Sequence, residues 1–253
     1  VSAIPISTTT CLRATAIKPG WKSCDVFTHT YIFVNDVITQ SPYGEVPGPD
    51  WPPPTTGPGQ CIDYGMDPDV VCDARYEALI DDALLSIPSI SLVTALHNLF
   101  DPATGIYMNA LMEGPEWERP ASAELINPDG RDGFQIDAGL RIRGGWSRYG
   151  DCPKHAFRLF FRSRYGQARL IYPLFEDEGA AEFDKIDLRT AQNYSWSFYG
   201  DARNTFLRDV FSRDLQRESN QPYTRSRFYH LFIDGQYWGL YQTQERSQAH
   251  YAA

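Results

Sequence analysis

The chain of 253 residues is long enough to bury a substantial core, and its 42% hydrophobic and 14% aromatic content describes a folded protein rather than a disordered one. A net charge of −9 argues against sequence-independent binding to nucleic acid or to an anionic membrane, so any anion site must be a local basic cluster. The sequence has no apolar run of about 18 residues and therefore no candidate membrane-spanning helix.

Residues 1–34 alternate β-branched and aromatic residues around the turn dipeptide Pro19-Gly20, which predicts short strands. Residues 35–72 read as a connector, rich in Pro and Gly from Ser41 to Pro68. Tyr43 and Trp51 are its candidates for packing on a neighbour. The cysteines Cys11, Cys24, Cys61, Cys72 and Cys152 show no zinc spacing. A Cys61–Cys72 bridge closing the connector and buried thiols both fit the pattern, and the sequence does not fix connectivity.

Residues 73–253 form the third predicted unit. Leu79, Ile80, Ala83, Leu84 and Ile87 have helical spacing over Asp73–Ser86, with Pro88 ending the helix. Ser89–Leu96 and Ala121–Ile126 read as strands, the latter leading into the turn Asn127-Pro128-Asp129-Gly130. Ile136–Arg143 alternates strictly. Ile136, Ala138, Leu140 and Ile142 take one face, and Asp137, Arg141 and Arg143 the other. After Gly144 and Gly145, His155, Phe157, Leu159 and Phe161 oppose Lys154, Arg158 and Arg162. Two arms with cations on one face, joined by a glycine-bearing loop, suit phosphate binding, and they equally suit the wet face of an antiparallel sheet. Phe206, Leu207, Val210, Phe211 and Leu215 mark one face of a helix over Ala202–Glu218. Phe228–Ile233 and Tyr237–Thr243 flank Asp234-Gly235, a strong hairpin signal, and Arg246 opens a further helical stretch.

Other chemistries lack support. The five histidines show no H-E-x-x-H spacing, and no G-x-S-x-G elbow is present. Glu176, Asp177 and Glu178 read as a solvated acidic run rather than glycosidase acids. Asn193-Tyr194-Ser195 matches a glycosylation sequon.

The blocks RIRGGWSR (Arg141–Arg148) and PKHAFRLFF (Pro153–Phe161) resemble the signature of the spore-coat protein H (CotH) kinase family. Tyr172–Phe175, Lys185–Thr190, Phe206–Leu215 and Phe232–Glu245 follow in family order, so the resemblance spans Ile87–Ala253. Residues 1–34 resemble the last strands of a chitobiase/β-hexosaminidase C-terminal-like module, a non-catalytic sandwich.

The resemblance implies an α+β fold: a mostly antiparallel sheet with packed helices, similar to the small lobe of an atypical protein-kinase-like fold and preceded by a partial β-sandwich. It implies ATP as phosphoryl donor with Mg²⁺ or Mn²⁺, and Ser/Thr hydroxyls of surface or coat proteins as acceptors. The parent would be a secreted or cell-surface bacterial protein. By that analogy Lys154 meets the nucleotide phosphates, Arg143, Ser147 and Arg148 sit at the loop, and Arg208, Asp209 and Asp214 lie on the helix that positions the lysine. Gln244-Glu245-Arg246 would stand where the adenine edge is read, and Trp238–Tyr241 would offer an aromatic wall, although packing explains Trp238 better. The metal-holding and catalytic aspartates of the family follow this block. They are expected beyond Ala253, and residues 1–253 alone are expected to transfer no phosphate. The competing class is a non-catalytic module that binds a coat or envelope partner.

Overall fold

In the computed structural model, residues 3–21, 24–55, 59–190 and 203–246 are described. The sequon at Asn193, Ala202 of the expected second helix and the stretch after Arg246 lie outside them.

Strands β3 (Ser89–Val93), β4 (Arg119–Ile126), β5 (Gln135–Arg143), β6 (Ala156–Phe160), β9 (Lys185–Thr190), β10 (Ser226–Ile233) and β11 (Gln236–Gln244) close into a seven-stranded barrel. The neighbour order is β10-β11-β9-β6-β5-β4-β3. All pairings are antiparallel except β10 with β3, which is parallel and closes the ring. The α+β class holds, and the mostly antiparallel sheet closes on itself as a barrel. Closure follows from β3, whose five residues are all buried and which pairs with β4 on one side and β10 on the other. A strand so apolar cannot remain an exposed edge.

Alternation sets the two faces as the spacing predicts. Ile136, Ala138, Leu140 and Ile142 are buried with Phe157, Leu159 and Phe161, while Arg141, Arg143 and Arg158 face outward. Trp238, Tyr107 and Tyr241 fill the interior, and Tyr107 Oη accepts from Trp238 Nε1 at 3.2 Å. The Asp234-Gly235 turn has φ of 48° and 83°, the left-handed pair that a two-residue hairpin requires.

Outside the barrel, β1 (Thr10–Ala14) and β2 (Phe27–Tyr31) pair as an antiparallel ribbon. Thr30 N–H donates to Glu124 Oε2 of β4 at 2.7 Å and anchors the ribbon to the barrel wall. The Pro/Gly-rich segment is flanked by two short helices, α1 (Val34–Ile38) and α2 (Pro68–Val71). It also supplies Ile62 and Tyr64 to the main core, with Trp51 packed against them, whereas Tyr43 is exposed. The expected helix over residues 73–86 is shorter, a 3-10 turn at Glu77–Leu79 leading into α3 (Ile80–Ser86). A short α4 (Leu96–Phe100) and a two-stranded pair, β7 (Leu170–Ile171) with β8 (Glu182–Phe183), complete the periphery.

Helix α5 (Arg208–Glu218) departs from its sequence pattern. Leu207, Phe211 and Leu215 are exposed, and Arg213 is the buried residue. The helix docks through polar groups, because Arg213 binds Ser226 on β10 and Asp209 pairs with Arg189 on β9. The apolar stripe is left facing outward.

Candidate functional site

The outer face of β5, β6, β9 and β11 gathers arginines around two carboxylates. Period-two alternation on β9 (Lys-Ile-Asp-Leu-Arg-Thr) sends Ile186 and Leu188 to the interior and puts Asp187 and Arg189 on the other face, where Asp187 is itself buried beneath its arginine partners. Register places Asp187 opposite Arg158 of β6, and the pair is bidentate, with Nε–Oδ1 at 2.5 Å and Nη2–Oδ2 at 3.0 Å. Arg143 Nε lies 3.4 Å and Arg246 Nη1 3.3 Å from Asp187 Oδ2. Arg189 reaches Gln244 Oε1 at 3.3 Å and forms an ion pair with Asp209, which also receives Arg213 at 2.8 Å.

Among the described residues, Arg143, Arg158, Arg189, Arg213 and Arg246 thus share Asp187 and Asp209, with positive charge in surplus. Burial and the neighbouring guanidinium groups hold Arg143 below its ordinary pKa, opposed by Asp187. Arg143 Nε is buried and makes no hydrogen bond among the described residues. Planar guanidinium forks in surplus, with buried N–H groups still to satisfy, suit multivalent oxyanions such as phosphates.

The structure distributes the other sequence-predicted residues differently. Gly144 has φ of 111°, a left-handed conformation that opens the loop. Ser147 Oγ donates back to Arg143 O at 3.3 Å, and His155 closes on the Ser147 carbonyl. Arg148 spends its donors on carbonyls, those of Ile142 at 2.7 Å, Gly144 at 2.8 Å, Ala110 at 2.8 Å and Met112 at 3.1 Å, so it clasps the loop from beneath. Arg208 is exposed and donates to Asn204 Oδ1 at 3.1 Å. Glu245 is buried beside Arg225, at 2.7 Å from Nη1, and its Oε1 has no hydrogen-bond partner among the described residues. Asp214 faces a separate polar cleft with Arg217 and Tyr223.

Lys154 does not join the arginine face. It half-buries its stem at an apolar cavity of about 650 Å³, where Nζ donates to Asp63 O at 2.6 Å and sits 4.2 Å from the Trp238 ring centroid. Met66, Ile80, Leu84, Trp146 and Leu240 form much of the surrounding wall. Burial pushes the Lys154 ammonium down to about 8, against the charge of Asp63. Trp238 is fully buried, as cross-strand packing predicts.

Of the residues read from sequence as a nucleotide site, Arg143 lies on the arginine face, with Asp209 beside it on α5. Asp187 and Arg189 were not singled out from the sequence, whereas Arg246 was expected, with Gln244 and Glu245, at the adenine edge. The alternation in KIDLRT carried the signal for Asp187 and Arg189.

The functional comparisons concern this same region. Residues 140–253 match the family model described as CotH kinase protein. The match begins within β5 and takes in the glycine-bearing loop, β6, β9, α5 and the β10–β11 hairpin. It therefore contains the whole arginine face. No curated protein matches the chain. Among the described residues, no group of three or more His, Cys, Asp or Glu is placed to hold a metal ion, and no helix is long and apolar enough to cross a membrane.

Proposed function

We propose that residues 140–253 form the nucleotide-facing part of a CotH-type kinase that transfers the γ-phosphate of ATP to Ser or Thr hydroxyls of surface or coat proteins. The observation that carries this reading is the Arg189–Asp209 pair. A hairpin with a glycine-bearing loop (β5–β6), a third strand (β9), a helix (α5) and a second hairpin follow in chain order. In protein kinases a cation on the third strand is held by an acid on the following helix, and both must be in place for the phosphates to be gripped. The Arg189–Asp209 pair supports the reading by analogy with those stations.

Phosphoryl transfer depends on positioning and charge neutralisation more than on covalent chemistry by the protein. Asp187 orients Arg143 and Arg158, and Asp209 orients Arg189, so the forks are set before ligand arrives. A divalent ion, Mg²⁺ or Mn²⁺, would accompany the triphosphate. Asp187 and Asp209 are engaged by arginines and do not make a metal-ligand set.

Calorimetric titration tests this reading. ATP and ADP should bind much more tightly than adenosine, with affinity falling as salt rises. Equal affinity for ATP and adenosine, or no binding, favours a non-catalytic surface module instead.

A further inference from the structure

The Pro-rich segment and the end of the glycine-bearing loop run side by side. Cys61 N–H donates to Gly150 O at 2.6 Å, and Gln60 Nε2 donates to Cys61 O at 2.8 Å and to Cys152 O at 3.4 Å. Gln60 Oε1 is also 2.7 Å from His155 Nε2, so this short crossing is fixed on both flanks of Cys152. One amide nitrogen, Gln60 Nε2, reaches both the Cys61 and the Cys152 carbonyl, so the two cysteine backbones are close neighbours. A disulfide closes without backbone movement when its Cα atoms lie roughly 4.4–6.8 Å apart. Cys72, the alternative partner by sequence, instead ends α2 with its N–H on Pro68 O at 3.0 Å and is exposed.

The geometry points to an intrachain disulfide between Cys61 and Cys152. Both residues carry thiols in the structure. Cys152 is buried and lines the 650 Å³ cavity, which gives a small disulfide reagent a route to its sulfur. In the balanced step the Cys152 thiolate attacks a glutathione disulfide, forming a mixed disulfide and releasing one glutathione. The Cys61 thiolate then attacks the Cys152 sulfur and releases the second. Two thiols are oxidised, one disulfide is reduced, and the two protons end on the released glutathione thiols.

The bond would staple residues 59–61 to the loop that carries Trp146 and Ser147 and precedes Lys154. It closes a long stretch of chain, the case in which a cross-link restricts the unfolded state most. The inference does not depend on kinase activity.

Peptide mapping decides it. The chain is equilibrated in a glutathione redox buffer, alkylated, digested under non-reducing conditions and read by mass spectrometry. The expected product is a Cys61–Cys152 cross-linked peptide, with Cys11, Cys24 and Cys72 alkylated. Oxidation should also raise the thermal midpoint by roughly 5 °C. That gain should vanish in Cys152→Ser and persist in Cys72→Ser. Cys61 joined to Cys72, or both Cys61 and Cys152 recovered alkylated after oxidation, overturns the proposal. The wild-type map suffices even if a variant fails to fold.

Discussion

Arg189 on β9 and Asp209 in the first turn of α5 form an ion pair that fastens the helix to the outer face of the barrel. Arg213, one turn further along, donates to the same carboxylate at 2.8 Å. The helix is thereby held by charge, with its apolar residues Leu207, Phe211 and Leu215 turned away. If this pair presets a phosphate-binding fork, Arg189→Ala and Asp209→Ala should each weaken ATP binding by about tenfold or more, equivalent to about 1.4 kcal/mol. The double variant should be little worse than either single one, since both act through one interaction. Titration of the four proteins measures the coupling, and fully additive losses would separate the two residues.

Glu118 holds a second arginine cluster. Its side chain is fully buried and receives Arg141 at 2.5 Å, Arg162 at 3.1 Å and Arg164, with Tyr165 Oη donating at 3.1 Å. Burial opposes ionisation, yet the hydrogen bonds from Arg164 and Arg141 outweigh it and hold the carboxyl below its ordinary value of 4.5. The resulting stabilisation is present above pH 4.5 and is lost as pH falls through the lower folded value. Glu118→Ala should cost about 1–3 kcal/mol, because Arg141 loses its partner while Arg162 and Arg164 remain substantially solvated. Urea unfolding at pH 7 reads this, and a loss within about 0.5 kcal/mol would mark a solvated surface cluster.

Lys154 makes a different prediction from the phosphate role that sequence analogy implied. Its ammonium falls to about 8 on folding, from 10.5. The folded state therefore carries a burial penalty below pH 8, which is relieved as pH rises toward 10.5. Lys154→Met should be more stable than the wild type near pH 7, and the difference should shrink across that window. A pH-independent difference in urea midpoints would contradict this account of the cavity.

Asp234 sits in the β10–β11 turn with Oδ1 accepting from Thr94 N–H at 2.9 Å, while Oδ2 is buried without a hydrogen bond among the described residues. Burial raises its carboxyl to about 7, from 3.8. The folded state holds the proton more strongly, so this group's contribution to stability declines as pH climbs from about 4 to 7. Asn tolerates the residue's φ of 48° and keeps the Thr94 contact. Asp234→Asn should stabilise the chain at pH 8 and not at pH 4, by thermal melts at both.

The strands and their faces were legible because a period of two is a local property. Ile136 through Ile142 and Phe157 through Phe161 announce their burial, and Asp234-Gly235 announces its hairpin. Barrel closure was not legible, since it rests on the non-local parallel pairing of His230–Ile233 with Ser89–Leu92. Helix α5 misled through its amphipathic pattern, because the docking energy lies in Asp209 and Arg213. The site was half visible. Arg143 was found from its glycine-rich neighbour, but Arg189 looked like any outward strand residue until α5 brought Asp209 against it. Lys154 was assigned to the phosphates by its place after the loop, and the packing of Trp238 and Asp63 draws it to the cavity instead.

A structure of the chain with a non-hydrolysable ATP analogue tests the central claim most directly. The account predicts triphosphate oxygens within hydrogen-bonding distance of Arg143, Arg158 and Arg189, with the Arg189–Asp209 pair intact. A triphosphate seated instead in the cavity beside Lys154 and Trp238, with the arginine face untouched, would contradict it.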